Sequence, residues 1–272
     1  MSNWLLAVNL ALTKIWQNGA VSNSDSQSDK ENISSNEVST QTQAAIGRQK
    51  RVWNRRVSTW EHHGVLGLEK VIKAVLELSQ VQAGMKVLDI GCGTGTLALP
   101  MAKSGAIVTA IDVSPAMIDR LMSVAKEQGI TGITGIAAPA ETLNIESESI
   151  DIIVSNYALH HLRDPDKEKL VKTMFNWLKP GGKVVIGDMM VGRGGTSRDR
   201  EIIASKISIM LKKGPAGWWR ILKNAMRYFF RVQERPISME AWTKLFESNG
   251  YVEVSANTVV NEAATVMAKR PV

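Results

Sequence analysis

The sequence predicts an α/β fold built on a parallel sheet, because short apolar strand patterns alternate with helix patterns along most of its 272 residues. Two observations carry this prediction. A buried strand pattern at 87–90 runs into a glycine-rich turn and then into a helix pattern. A second strand pattern, 107–112, ends in an acidic residue and is followed by a helix start.

The glycine-rich turn after the first strand predicts close approach of a ligand to bare backbone, since a side chain there would block that approach and strain the turn. Dinucleotide-binding folds use a related G-x-G-x-x-G pattern, so the glycines alone are weak evidence. Here the spacing is G-x-G-x-G, and Asp89 stands two residues before the first glycine. The turn residues are Gly91, Cys92, Gly93, Thr94 and Gly95.

The second strand ends at Asp112, whose carboxylate can accept hydrogen bonds from both hydroxyls of an adenosine ribose. Ser114 and Pro115 follow as the N-cap and first-turn residues of a helix. We therefore expect a nucleoside-bearing ligand across the ends of the first two strands.

Later strand patterns complete the alternation. A buried strand at 150–154 ends in Ser155, Asn156, Tyr157 and a loop with His160 and His161. A tight turn at 178–182 leads into a strand at 183–187, and two final strands are expected at 251–256 and 263–268.

These motifs, VLDIGCGTG, IDVSPAMI, SNYALHHLRDP and LKPGGKVVI, resemble the successive motifs of class I S-adenosylmethionine-dependent methyltransferases. The resemblance covers roughly 52–272 and is nearest to small-molecule enzymes of the ubiquinone/menaquinone-biosynthesis type. It implies a Rossmann-like, doubly wound, seven-stranded, mainly parallel sheet with an antiparallel edge strand. It also implies a helical lid inserted after the fifth strand.

The resemblance implies S-adenosylmethionine as cofactor. Asp89 and the turn backbone would hold its methionine end, Asp112 the ribose, and Val113 and Met117 the adenine. The family often has an acid facing the adenine where this chain has Pro139, so we expect the adjacent residues to replace it. The expected cofactor-binding set is Asp89, Gly91, Cys92, Gly93, Thr94, Gly95, Asp112, Val113, Met117, Ala140, Glu141 and Asn156.

For catalysis, His160 is the preferred general base, because histidine accepts a proton near neutral pH. Tyr157 is the second candidate, and an acceptor that is already nucleophilic needs no base. One histidine could instead shape the loop by hydrogen bonding. Trp60 could cover the ligand or belong to the core.

The amino-acid composition limits which disulfides, metal sites and disordered segments the chain can have. A single cysteine, Cys92, excludes an internal disulfide and favours a cytoplasmic protein. No metal site is expected, because the four histidines fall in two adjacent pairs, whose side chains diverge. Residues 1–17 are mainly apolar, and 18–43 contain 14 Ser, Asn or Gln in 26 positions, which predicts a disordered linker over 18–47. The domain that follows, 48–272, is the one that the resemblance implies to be a methyltransferase.

The expected lid, 189–235, carries 11 Lys or Arg against three acids. Its centre has an apolar helical face and a basic one, so we expect a small apolar or lipid-like acceptor and membrane-surface contact through 1–17 and the 218–231 helix. A helix packed on the sheet with a solvated basic face would explain the same pattern more simply. The expected substrate-binding residues are Trp60, Met189, Trp218 and Met226.

Nucleic acid is not an expected partner, because the strand end at Asn156 lacks the Asp/Asn-Pro-Pro-aromatic motif of nucleobase methylation. Three further classes of protein stay open: a non-catalytic binding protein of the same fold, an RNA methyltransferase and a nicotinamide-dependent oxidoreductase. The accepting atom, whether oxygen, nitrogen or carbon, stays open as well.

Overall fold

A computed structural model describes residues 40–60, 67–192, 195–211 and 234–272. Its strands are β1 (Lys86–Ile90), β2 (Ile107–Asp112), β3 (Ile133–Ala137), β4 (Ile150–Asn156), β5 (Leu178–Met189), β6 (Val252–Val260) and β7 (Ala263–Lys269). Its α-helices are α1 (Thr40–Trp60), α2 (Leu68–Ser79), α3 (Ala98–Lys103), α4 (Pro115–Glu127), α5 (Asp164–Trp177), α6 (Ser197–Leu211) and α7 (Met239–Ser248). Two short 3₁₀ turns lie at Ala140–Thr142 and Leu159–His161.

The described strands form one seven-stranded sheet in the order β3-β2-β1-β4-β5-β7-β6. Strands β1 to β5 pair in parallel, whereas β7 is antiparallel to both β5 and β6. The predicted fold class is therefore confirmed. The antiparallel strand β7 lies one position inside the edge, and β6 is the edge strand.

Each face of the sheet is covered by helices, because the buried strands are apolar on both sides. Val87 of β1 packs with α2, α3 and α4, whereas its neighbour Leu88 packs with α5 and α7 on the opposite face. This alternation follows from the two-residue side-chain period of a strand. The order of strands reverses between β1 and β4, and open parallel sheets bind ligands at the carboxyl ends of the strands beside such a reversal.

Helix α4 begins as its sequence predicts. Pro115 is its first residue, and the Ser114 hydroxyl accepts a hydrogen bond from the Met117 amide at 3.3 Å. The turn at 178–182 differs from the prediction, since it lies within β5 as an irregularity. Ile150 pairs with Leu178, and Ile152 then pairs with Lys183.

Helix α1 begins at Thr40, inside the segment 18–47 that composition predicts as a disordered linker. Thr42 is buried there, where its hydroxyl donates to Asp166 and accepts from Arg163. Tertiary contacts thus stabilise a helix that polar composition alone disfavours.

Several predictions fall outside the described residues. They concern the segments 1–17 and 18–39, the whole of the helix 218–231 with Trp218 and Met226, and the side chain of Trp60. In the described part, no helix is both long enough and apolar enough to cross a bilayer. Nor does that part contain three or more His, Cys, Asp or Glu side chains arranged to hold a metal ion.

Candidate active site

A cavity that is open to solvent lies at the carboxyl ends of β1, β2 and β4. The glycine turn after β1, the end of β2 and the loop after β4 form its walls, and α1 contributes a further side. Its position beside the reversal of strand order is typical of a small-molecule site in an α/β sheet.

The glycine turn is held against β2 by backbone hydrogen bonds. The amides of Gly91 and Cys92 both donate to the carbonyl of Ile111, at 2.8 and 2.9 Å. Gly91 has a φ of +72°, and a Cβ added to it would lie 2.3 Å from the Cβ of Ala158 in the loop after β4. Only glycine therefore fits where these two walls meet.

Gly95, which is also predicted to bind the cofactor, packs against α4. It does not line the cavity, and an added Cβ would lie 2.3 Å from Cδ1 of Leu121 on α4. Its φ is +97°. The third glycine of the turn thus allows close packing of α4, and only Gly91 and Gly93 of this turn's glycines present backbone to the cavity.

Asp112 fastens the turn to the next helix. Its carboxylate accepts from the Gly93 amide at 3.0 Å and from the Ser114 amide at 2.8 Å. Burial raises its pKa, and these two hydrogen bonds offset part of that rise. Since each carboxylate oxygen can accept a second bond, Asp112 retains acceptor capacity on the cavity side.

Asp89 and Asn156 carry buried oxygens without partners. Both carboxylate oxygens of Asp89 and the Oδ1 atom of Asn156 have no hydrogen bond in the structure. Burial and the nearby Asp112 charge raise the pKa of Asp89 to about 8, and the weakly placed Ala98 amide offsets this only in part. Unpaired buried oxygens are costly, so they indicate a ligand that supplies donors or positive charge.

Four further predicted residues line the cavity between β2 and the 3₁₀ turn after β3: Val113, Met117, Ala140 and Glu141. Pro139 lines it too, where the family often has an acid. Burial raises the pKa of Glu141, the Asp166 charge adds to that rise, and Arg163 and Lys169 lower it in part. This wall combines apolar contact with one acceptor, as an adenine ring requires.

Tyr157 follows β4 with a φ of +51°, a strained conformation for a residue with a side chain. Its amide donates to the Gly187 carbonyl at 2.8 Å, which holds this conformation. The ring lines the cavity, and burial together with the Glu262 and Asp188 charges raises the pKa of its phenol to about 12. The phenol is therefore a hydrogen-bond donor at neutral pH.

His160 lies behind the cavity wall and is 5 % exposed. Its Nδ1 lies 2.5 Å from Oδ1 of Asp188, and its amide donates to Oδ2 at 2.9 Å. Asp188 also accepts from the Met189 amide at 2.7 Å. His161, whose ring centroid is 4.0 Å from that of His160, is the histidine that lines the cavity.

Helix α1 supplies cavity residues that the sequence patterns did not single out. Ile46, Gln49 and Trp53 share one face of the helix and line the cavity. The Gln49 side chain donates to the His161 carbonyl at 3.1 Å, and the Trp53 ring meets His161 edge-on at 5.6 Å. The three- and four-residue spacing of these positions is the feature of the sequence that could have indicated one helix face.

The structure thus brings most of the predicted site residues to one cavity. Those that line it are Gly91, Cys92, Gly93, Asp112, Val113, Met117, Ala140, Glu141, Asn156 and Tyr157. Those that do not are Asp89 and His160, which are buried behind its wall, and Thr94, Gly95 and Met189. Met189 ends β5 beside Asp188.

Residues 87–182 match the methyltransferase domain family. The chain is 39 % identical over 122 residues to an uncharacterized methyltransferase of Oceanobacillus iheyensis, covering 45 % of this chain and 53 % of that protein. It is 38 % identical over 101 residues to the ubiquinone biosynthesis O-methyltransferase of Coxiella burnetii, covering 37 % and 42 %. The chain thus spans about half the length of these relatives or less.

The fold is similar to that of the 1,6-didemethyltoxoflavin-N1-methyltransferase of Burkholderia thailandensis, solved with 1,6-didemethyltoxoflavin and S-adenosylhomocysteine. The TM-score is 0.59 at 16 % identity, with 88 % of this chain and 94 % of that chain covered.

Residues 87–182 therefore form a methyltransferase domain, and the fold around them is that of S-adenosylmethionine-dependent methyltransferases. The cofactor of this class fits the cavity. The backbone of Gly91 and Gly93 lines the cavity, and the unpaired oxygens of Asn156 and of Asp89 behind the wall suit a cationic, donor-rich ligand. Both the glycine backbone and the unpaired oxygens belong to residues of this chain.

Proposed function

We propose that this methyltransferase moves a methyl group from S-adenosylmethionine to a small apolar or lipid-like acceptor in specialised-metabolite or quinone biosynthesis. The observation that carries the proposal is the division of the cavity into two unlike walls. One wall carries Asp112 and Asn156, which have unused acceptor capacity, and the unpaired carboxyl group of Asp89 lies buried behind it. The other is apolar and aromatic, with Ile46, Trp53, Leu68 and Leu162.

The polar wall would hold the cofactor. The glycine-turn backbone and Asp89 would face its methionine end, Asp112 its ribose hydroxyls, and Val113 and Met117 its adenine, with Ala140 and Glu141 beside them. S-adenosylmethionine supplies a methyl group on a cationic sulfur, and the bond to the acceptor forms in line as the sulfur–methyl bond breaks. The chain contributes by orienting the two molecules and by excluding water.

Proton removal from the acceptor, where it is needed, would fall to the histidine pair. His160 is held by Asp188 through Nδ1, which leaves its Nε2 as the available nitrogen. Because His160 lies behind the wall, His161 is the group placed to meet the acceptor, with His160 and Asp188 supporting it. Tyr157, protonated at neutral pH, would donate a hydrogen bond to the acceptor or the cofactor.

The acceptor class rests on the apolar wall and on two relatives, one named for ubiquinone biosynthesis and one for methylation of 1,6-didemethyltoxoflavin. The basic segment 189–235 contains the predicted acceptor residues Met189, Trp218 and Met226, and Trp60 precedes the domain's first strand. Their part in acceptor binding belongs to this proposal, as does membrane contact through 1–17 and 218–231.

Calorimetric titration of the folded protein with S-adenosylmethionine and with NAD tests the cofactor. Binding of the first alone is expected, and failure to bind it would overturn the proposal. Mass spectrometry of host metabolites incubated with protein and cofactor then tests the acceptor. The expected product has gained one methyl group. Methylated RNA alone would instead indicate an RNA methyltransferase, and cofactor binding without any product would indicate a non-catalytic binding protein.

The base assignment needs a matched pair of variants. His161→Asn should lower kcat for an acceptor that must lose a proton, with cofactor affinity unchanged. His160→Asn should lower kcat less and also lower stability, because it loses the Asp188 pairing. If the His161→Asn variant is as active as the unmodified enzyme, His161 does not act as the general base.

A further inference from the structure

Helix α1 has two faces of different chemistry, and only the inner one belongs to the cavity. Its 21 residues include five Lys or Arg and no Asp or Glu. Ile46, Gln49 and Trp53 line the cavity on the inner face. Arg48, Arg51 and Arg55, spaced three and four residues apart, share the opposite face and are exposed.

These three arginines form a stripe about 10 Å long, from the rise of about 1.5 Å per residue. Within the described part of the chain, no carboxylate pairs with any of the three guanidinium groups. The Arg51 Nε–H donates to the Gly47 carbonyl at 3.2 Å, which uses one of its five donors. The stripe therefore presents uncompensated positive charge to solvent.

Hydrogen bonds from α1 to the rest of the domain fix the orientation of the helix. Thr42 contacts Arg163 and Asp166, and the Ser114 hydroxyl is hydrogen-bonded to Asn54 at 2.6 Å. These contacts fasten α1 to α5 and to the start of α4. The direction of the arginine stripe relative to the cavity is thus set by the fold.

We propose that the outer face of α1, through Arg48, Arg51 and Arg55, docks the methyltransferase onto an anionic lipid surface. A stripe of arginines on an exposed helix complements phosphate headgroups, and each such side chain contributes to membrane attraction. Docking there places the cavity, on the other face of the same helix, beside a reservoir of apolar molecules. The choice of a lipid surface over another polyanion rests on the proposed apolar acceptor.

Vesicle flotation with the full chain, without cofactor or acceptor, tests the docking. The unmodified protein should float with phosphatidylcholine vesicles that contain phosphatidylglycerol and not with pure phosphatidylcholine, and high salt should release it. The triple variant Arg48→Gln, Arg51→Gln, Arg55→Gln should bind about a hundredfold more weakly, at about fivefold per side chain. Glutamine is a good helix former, so α1 should persist.

A matched control removes three charges from other exposed helix positions: Lys70→Gln, Lys126→Gln and Lys172→Gln. This variant should keep most of the vesicle binding. Equal losses in both triple variants would overturn the proposal, because net charge would then explain the attraction. So would binding to an RNA or DNA oligonucleotide without binding to anionic vesicles. Since no cofactor is present, failure here leaves the proposed methyl transfer intact.

Discussion

Asp89 and Asp188 are both fully buried carboxylates near the carboxyl ends of parallel strands, yet their surroundings are opposite. Asp89 has no hydrogen-bond partner, whereas Asp188 accepts from the His160 ring, the His160 amide and the Met189 amide. Paired buried charge stabilises a local structure, and unpaired buried charge is tolerated where a ligand completes it. Asp188 therefore supports the loop after β4, whereas the role proposed for Asp89 is to bind the cofactor.

The two walls of the cavity differ in the same way as these two carboxylates. The polar wall, with Asp112 and Asn156, is the proposed cofactor wall, and the apolar wall, with Trp53 and Leu162, is the proposed acceptor wall. On the cofactor wall, Asp112 is only partly used and Asn156 has an unpaired oxygen. Behind the acceptor wall, Lys167 is buried and donates to the carbonyls of Leu162 and Arg235 at 2.6 and 2.7 Å. One wall needs a ligand to complete its hydrogen bonds, and the other is supported by the chain itself.

The largest expected effect comes from Asp188→Ala. It leaves three donors unpaired, two of them on the buried His160, so the free energy of unfolding should fall by about 3–5 kcal/mol, as for breaking other buried pairs. Urea denaturation measures this, with Asp89→Ala as the matched control. A loss in Asp89→Ala as large as that in Asp188→Ala would contradict the distinction between the two carboxylates.

Gly91→Ala tests the contact between the walls. Its positive φ should cost about 1–2 kcal/mol and the clash with Ala158 about 1–3 kcal/mol more. Gly84→Ala is the matched control, since Gly84 has a φ of +83° and open space around its added Cβ. Thermal unfolding should separate the two variants, and S-adenosylmethionine binding should be lost only in Gly91→Ala. Equal shifts in melting temperature would leave backbone strain as the whole effect.

Asp112→Ala should weaken S-adenosylmethionine binding by on the order of 1.5–3 kcal/mol, because the ribose hydroxyls lose a charged acceptor. The loss of the Gly93 and Ser114 hydrogen bonds should loosen the turn as well. Calorimetric titration measures the affinity, and Asp119→Ala, which removes an exposed carboxylate on α4, is the control. If Asp112→Ala binds S-adenosylmethionine as tightly as the control does, Asp112 does not bind the cofactor.

The free energy of unfolding should also depend on pH through Asp89. With its pKa raised to about 8 from 3.8, the folded protein retains a proton that the unfolded chain has released. Stability of the cofactor-free protein should therefore fall as pH rises from about 4 to 8, by at most about 1.4 kcal/mol per pH unit from this group. Melting temperatures of Asp89→Asn should fall less over the same range, and parallel curves would refute the assignment.

The sequence by itself determined the α/β class, the strands β1, β2 and β4, and the glycine turn that follows β1. These features rest on local patterns, namely apolar strand runs, the glycine turn and acids at strand ends, which need few distant partners to be interpreted. The start of α4 at Pro115 is of the same kind, because an N-cap is a contact between neighbours.

Only the tertiary structure decided which predicted residues meet. It placed His160 behind the wall and His161 on the cavity, because Asp188, 28 residues further along the chain, pairs with His160. In the structure Gly95 packs against Leu121, and Trp53 of α1 lines the cavity. Such contacts join residues far apart in sequence, and their partners are set by how the helices pack on the sheet, which no local pattern encodes.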